Sequence, residues 1–144
     1  QARGNCAPFF PLTVETYQSL RDDRVAQVDQ MVYRFSKLQD ALGAKLFPSM
    51  MGVLREAPEQ LTVFDVLAEL EKAGAIPDAN RWIALRELRN QLAHDYQDDP
   101  EEGSNHLNAL FTVVDELLDV SRQCRSFVRE RILPSLPPEE RADT

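Results

Sequence analysis

Between residues 107 and 128 the apolar side chains Leu107, Leu110, Phe111, Val114, Leu117, Leu118, Cys124 and Val128 return mostly at steps of three and four. That is the spacing of one face of a helix. A strand presents alternate residues to one side and cannot use such a pattern. A second stripe of the same kind, Val25, Val28, Val32, Phe35, Leu38, Leu42 and Leu46, lies in the first third of the chain. The sequence therefore predicts long amphipathic helices near both ends, over about residues 13–46 and 104–133.

Punctuation divides what lies between. Pro48 is expected to interrupt the first helix, leaving a short segment around residues 50–55. Thr62 reads as an N-cap, with Asp65 completing a capping-box-like pair ahead of Val66, Leu67 and Leu70. Gly74 is placed to stop that helix, and Pro77 follows. A further helix starts near Asp78 and runs through Tyr96, its end marked by Asp98, Asp99 and Pro100.

Glycine is scarce, at five in 144 residues, and β-branched runs are short. The expectation is an all-α antiparallel four-helix-type bundle with an extra short helix. Residues 12–133 read as one helical domain, with flexible tails at 1–11 and 134–144. At about 1.5 Å per residue the end helices reach about 45–50 Å, long enough to leave stripe uncovered in a compact bundle. A homodimer is expected on that ground.

Charge narrows the function classes. With 16 Lys and Arg against 24 Asp and Glu, the formal net charge is −8. Bulk attraction to DNA or to an anionic membrane is not expected, although a local basic site is compatible with the balance. No run of about 18 apolar residues is present to span a membrane, and residues 1–11 lack the layout of a signal peptide. Cys6 and Cys124 have no metal-ligand spacing and are expected as free thiols in a reducing cytoplasm. His94 and His106 lack a third ligand, so no metal is expected. No Gly-rich phosphate loop occurs, and no cofactor is expected.

The chemistry-bearing residues concentrate in the third long helix. With Arg89 at 0° on a helical projection, Trp82 falls at about +20°, Leu85 at −40°, Leu92 at −60°, Leu88 at −100° and Tyr96 at −20°. Arg89 thus points along the apolar stripe. A guanidinium stays charged at ordinary pH and is costly to bury unpaired. It is either paired inside the bundle or faces a groove that receives an anion. Arg86, Asn90 and His94 share the edge of the stripe. These residues also have an ordinary structural reading, in which Arg86–Glu87 and His94–Asp95 are surface ion pairs and Trp82 and Tyr96 are core.

The run Arg89-Asn90-Gln91-Leu92-Ala93-His94-Asp95-Tyr96 reads R-N-x-x-x-H-x-Y. With Trp82 and Leu-Arg-x-Leu-Arg-Asn upstream, it resembles the HEPN superfamily, specifically the HepT-like proteins that pair with minimal nucleotidyltransferases and carry R-x4-H-x-Y. The resemblance implies a four-helix-type homodimer whose two motif helices line one cleft, and a metal-independent endoribonuclease. Arg89 would hold the scissile phosphate and stabilise transition-state charge. His94 would act as general acid and base in attack by the ribose 2′-OH. Asn90 would orient the phosphate or the histidine, and Arg86 would add a phosphate contact. Tyr96 would accept an adenylyl group from the partner nucleotidyltransferase, which brings its own ATP.

On one ideal helix Arg89 and His94 lie about 140° apart. That geometry, independently of the resemblance, favours a cleft fed by two protomers. The acidic neighbours Glu87, Asp95, Asp98 and Asp99 weigh against RNA. They fit a second reading: a non-catalytic HEPN subunit that binds a minimal nucleotidyltransferase and helps present its substrate. The expected partners are a second copy, the nucleotidyltransferase and RNA, with neither DNA nor membrane.

Overall fold

The computed structural model describes residues 1–93 and 99–141. Helices joined by short turns and loops make them up, and no strand occurs among them. In chain order the α-helices are α1 (Ala2–Cys6), α2 (Val14–Gln18), α3 (Asp22–Asp40), α4 (Phe47–Leu54), α5 (Val63–Ala73), α6 (Ala79–Ala93), α7 (Pro100–Phe127) and α8 (Pro138–Arg141). None is long and apolar enough to cross a membrane among the described residues.

The chain divides into two compact units, each built from two separated stretches, where the sequence reads one domain over 12–133. The first comprises 1–39 and 82–117, the second 40–81 and 118–144. In the first unit α3 buries Val28, Met31, Phe35 and Gln39. Val25, expected on the buried stripe, is 38% exposed. The covered sector nearly coincides with the expected stripe, sharing Val28 and Phe35, but it admits Met31 and Gln39 while Val32 and Leu38 are only half-buried.

The N-terminal segment, expected as a flexible tail, has helical structure. It forms α1 and a 3-10 turn over Ala7–Phe9, and Cys6 is fully buried. Phe10 stacks on Phe111 at 4.6 Å between centroids, while the Arg3 guanidinium sits 4.3 Å over the same ring. Arg3 Nε also donates to the Phe111 carbonyl at 3.1 Å. Asn108 clamps the backbone of Leu12: its Oδ1 accepts from Leu12 N at 2.7 Å, and its Nδ2 donates to Leu12 O at 2.8 Å. Two stacked rings, a guanidinium and a two-point amide clamp hold a segment expected as a flexible tail.

The expected helix over 13–46 is broken early and extended late. Thr13 and Thr16 form a capping box at the start of α2. The Ser19 hydroxyl then takes the Glu15 carbonyl at 2.8 Å, competing with helix propagation, and α3 begins afresh at Asp22. Pro48 does not interrupt the chain as expected. A wide π-helical turn over Ala41–Leu46 precedes it, and the proline falls in the first turn of α4. There a missing N–H is cheap, and the widened turn relieves the clash with the preceding carbonyls.

In the second unit α4 buries Phe47, Met50 and Met51, and α5 buries Leu67 and Leu70. The Thr62 box is formed as read: Asp65 N donates to Thr62 Oγ1, and Thr62 N to Asp65 Oδ2, both at 3.1 Å. Those bonds hold the Asp65 carboxyl below its ordinary pKa. Gly74 ends α5 at φ 86°, a left-handed position where a Cβ is strained. Cys124 packs nearby with its Sγ donating to the Ala75 carbonyl at 3.3 Å. Burial pushes its thiol pKa up to about 11.

Pro100 opens α7 rather than merely ending the previous helix. Asp99 caps it, accepting from Glu102 N at 3.2 Å, and proline takes the first helical position. The helix thus starts four residues before the expected Ser104. It buries Leu107, Leu110, Leu117, Val120, Cys124 and Phe127, while Leu118 of the expected stripe is 37% exposed. A π-helical turn over Val128–Ile132 and a 3-10 turn over Leu133–Ser135 continue it. Beyond, Arg141 donates to the carbonyls of Pro134 and Leu136, both at 2.7 Å, so the expected C-terminal tail folds back to that point.

Candidate functional site

Helix α6 starts at a local cap. Asp78 Oδ1 accepts from Asn80 N at 2.8 Å and Arg81 N at 3.1 Å, and Ala79 N donates to Glu71 Oε1 at 2.9 Å. Within the first unit it then buries Trp82, Leu85, Leu88 and Leu92. These four fall between about +20° and −100° on the projection, so the buried sector is centred close to −45°.

Arg89 lies on the flank of that sector and is half-buried. A guanidinium at such a position keeps its aliphatic stem against the leucines and its charged head toward the rim. Asn90 is also half-buried, while Arg86 and Glu87 are exposed. Sequence reasoning placed Arg86 and Asn90 together at the stripe edge. The structure separates them by burial: Asn90 is partly covered, and Arg86 stands in solvent.

The Arg89 Nη1 donates to Asn90 Oδ1 at 3.5 Å, a long contact at the outer edge of hydrogen bonding. Because an arginine only donates, the amide oxygen faces it, and the two Asn90 N–H groups make no hydrogen bond to a described residue. A fixed positive charge beside two amide donors, at a half-buried rim, is a surface suited to an anion with several oxygens.

His94 and Tyr96, the remaining residues of R-N-x-x-x-H-x-Y, lie outside the described residues. The other histidine, His106 on α7, is half-buried with Nε2 3.9 Å from Glu102 Oε1. No group of three His, Cys, Asp or Glu that could hold a metal occurs among the described residues. Both cysteines are free and buried, with burial raising each thiol pKa, so neither is placed as a nucleophile.

Sequence reasoning missed Asn108, Arg3 and Phe111, which organise the N-terminal segment of the same unit. Only a long-range partner reveals them, since Leu12 and Asn108 are 96 residues apart. No family model, curated protein or solved structure matches this chain.

Proposed function

We propose that this chain is a HepT-like toxin of a HEPN and minimal-nucleotidyltransferase pair, a metal-independent endoribonuclease neutralised by adenylylation of Tyr96. In this reading the helices form an antiparallel four-helix-type bundle that pairs as a homodimer, bringing two motif helices to one cleft. The observation that carries it is the half-buried Arg89 beside Asn90, on the rim of the Trp82–Leu85–Leu88–Leu92 face, within R-N-x-x-x-H-x-Y.

In the proposed reaction Arg89 and the Asn90 amide bind the non-bridging oxygens of the scissile phosphate. The ribose 2′-oxygen attacks phosphorus, the 5′-oxygen of the next nucleotide leaves, and a cyclic phosphate end remains. His94 takes the 2′-OH proton or returns one to the leaving oxygen. Arg89 stabilises the charge that develops on the phosphorane. Arg86, exposed one turn away, adds a contact to a neighbouring phosphate.

On an ideal helix the spacing of Arg89 and Tyr96 in the sequence corresponds to about 20° on the projection and close to 10 Å of rise. The Tyr96 phenol oxygen attacks the α-phosphorus of ATP held by the nucleotidyltransferase, pyrophosphate leaves, and the phenol proton is lost. The resulting phosphodiester carries a negative charge that can pair with a cleft guanidinium and exclude RNA.

The net charge of −8 favours a second reading, in which the chain is a non-catalytic HEPN subunit that binds the nucleotidyltransferase and presents its substrate. Co-expression with the cognate nucleotidyltransferase separates the two. Toxin identity predicts an added adenylyl mass on the wild-type chain, none on Tyr96→Phe, and loss of RNA cleavage on modification. An unmodified wild-type chain that cleaves no RNA without its partner leaves the presenting-subunit reading. A Tyr96→Phe chain that still gains the mass moves the acceptor elsewhere.

A further inference from the structure

The second unit carries a local charge opposite to that of the whole chain. Residues 120–132 hold Arg122, Arg125, Arg129 and Arg131 against Glu130, a balance of 4 − 1 = +3 in a chain of net −8. All four arginines are exposed. Taking about 100° per residue, Arg125 and Arg129 fall within roughly 60° of Arg122, and the three span close to 10 Å along the axis. They form one ridge. The opposite face of the same helix is core, with Val120 at 3%, Cys124 at 0% and Phe127 at 7% exposure.

Folding does not explain this ridge. Arg122 pairs with Asp119 at 2.7 Å, but Arg125 and Arg129 make no ion pair with a described residue. As an i,i+4 pair of like charge they destabilise the helix that bears them. The negative end of the helix near Ile132 favours Arg129 and Arg131, whereas Arg122 and Arg125 stand two turns or more upstream, outside its reach.

We propose that the ridge of Arg122, Arg125 and Arg129 on α7 and its π-helical continuation binds the phosphate backbone of single-stranded RNA. This rests on the reading of RNA as substrate. It adds a second point of attachment, on residues other than those of the motif, that offsets the acidic bulk of the chain. Every cation of the ridge is arginine, whose planar fork grips phosphate in two bonds where a lysine offers a point charge. An anionic membrane is the poorer occupant: an interfacial helix must sink its apolar face into lipid, and here that face is buried in protein.

The test is fluorescence anisotropy with a labelled oligouridylate over a salt series, using His94→Ala chains so that no cleavage intervenes. Arg125→Gln/Arg129→Gln should bind at least about tenfold more weakly, with the slope of log affinity against log salt shallower by about 1.4, two phosphates' worth of released counterions. Arg125→Lys/Arg129→Lys should keep most of the slope. Circular dichroism should be unchanged, since the replaced side chains are exposed. Equal binding by the Gln pair and its parent overturns the ridge and leaves the RNA reading standing. Capture on phosphatidylserine vesicles without RNA binding overturns it in favour of a membrane. A His94→Ala chain that does not bind RNA, with a wild-type chain that does not cleave it, overturns both.

Discussion

Helices α5 and α6 follow one another in the chain, and every unusual residue of the first has a local structural reason. In α5, Thr62 and Asp65 close the N-terminus, Gly74 turns the chain out at φ 86°, and Leu67 and Leu70 fill the core. In α6, the cap at Asp78 and the four buried apolar residues would suffice for a helix. Arg89 and Asn90 belong to neither the cap nor the buried set, and Arg89 places a charge at the flank of an apolar face. A charge held where burial makes it costly is a place to look for function.

The sharpest way to break this contrast is to exchange Arg89 for a residue that suits the apolar face. Arg89→Leu extends the apolar face of α6. It should reduce RNA cleavage by at least about 100-fold, the scale of a lost transition-state charge contact, and His94→Ala should do the same. Thermal denaturation should move far less for Arg89→Leu than for a core truncation. Retained cleavage, or cleavage that EDTA removes, breaks the proposed roles. A midpoint that collapses makes Arg89 part of the scaffold.

Leu70→Ala is the matching change in α5. Leu70 is fully buried, and its truncation should cost about 2–5 kcal/mol in urea denaturation. A cost under about 1 kcal/mol would mean that the α5 core is looser than its burial implies.

The smallest effect belongs to the cap. Thr62→Ala should cost about 1 kcal/mol. Its stability should also respond less to acid, because the Thr62 bonds are what hold the Asp65 carboxyl below its ordinary pKa. A carboxylate with a depressed folded pKa stabilises above its unfolded pKa and loses that contribution as pH falls through the folded value. The wild-type chain therefore loses this increment below the ordinary carboxylate range, and Thr62→Ala, which keeps only the bond from its backbone N–H to Asp65, has less to lose. Parallel pH profiles for the two chains would remove the capping box as the cause.

The contrast also explains what could be read without coordinates. The boundaries of α5 were legible because a capping box and a left-handed glycine act within one turn. Pro48 and Pro100 were misread because proline has two meanings, breaker in a helix interior and good opener in a first turn, and the distinction rests on what precedes it. Before Pro48 stands a widened turn, which has no residue signature, and before Pro100 stands the capping Asp99. The N-terminal segment escaped because its anchors, Phe111 and Asn108, are far away in sequence. At the candidate site the projection placed Asn90 at the edge of the apolar stripe, where it is half-buried, but it set Arg89 along the stripe, where the structure has it half-buried on the flank. It gave Arg86 too much cover, since periodicity says which way a side chain points and not how far the neighbours reach. His94 and Tyr96 are legible only as a motif, because they lie outside the described residues.

The two buried thiols have a consequence for kinetics. Cys6 belongs to the first unit and Cys124 to the second, and both are shielded at 0% exposure. Each is therefore a clock for its own half of the molecule. An alkylating reagent reaches a buried sulfur only through an opening, so the rate at which each cysteine acquires mass measures the opening free energy of its surroundings. Matching rates would mean that the halves open in one cooperative event; divergent rates would rank them and show which half opens more readily.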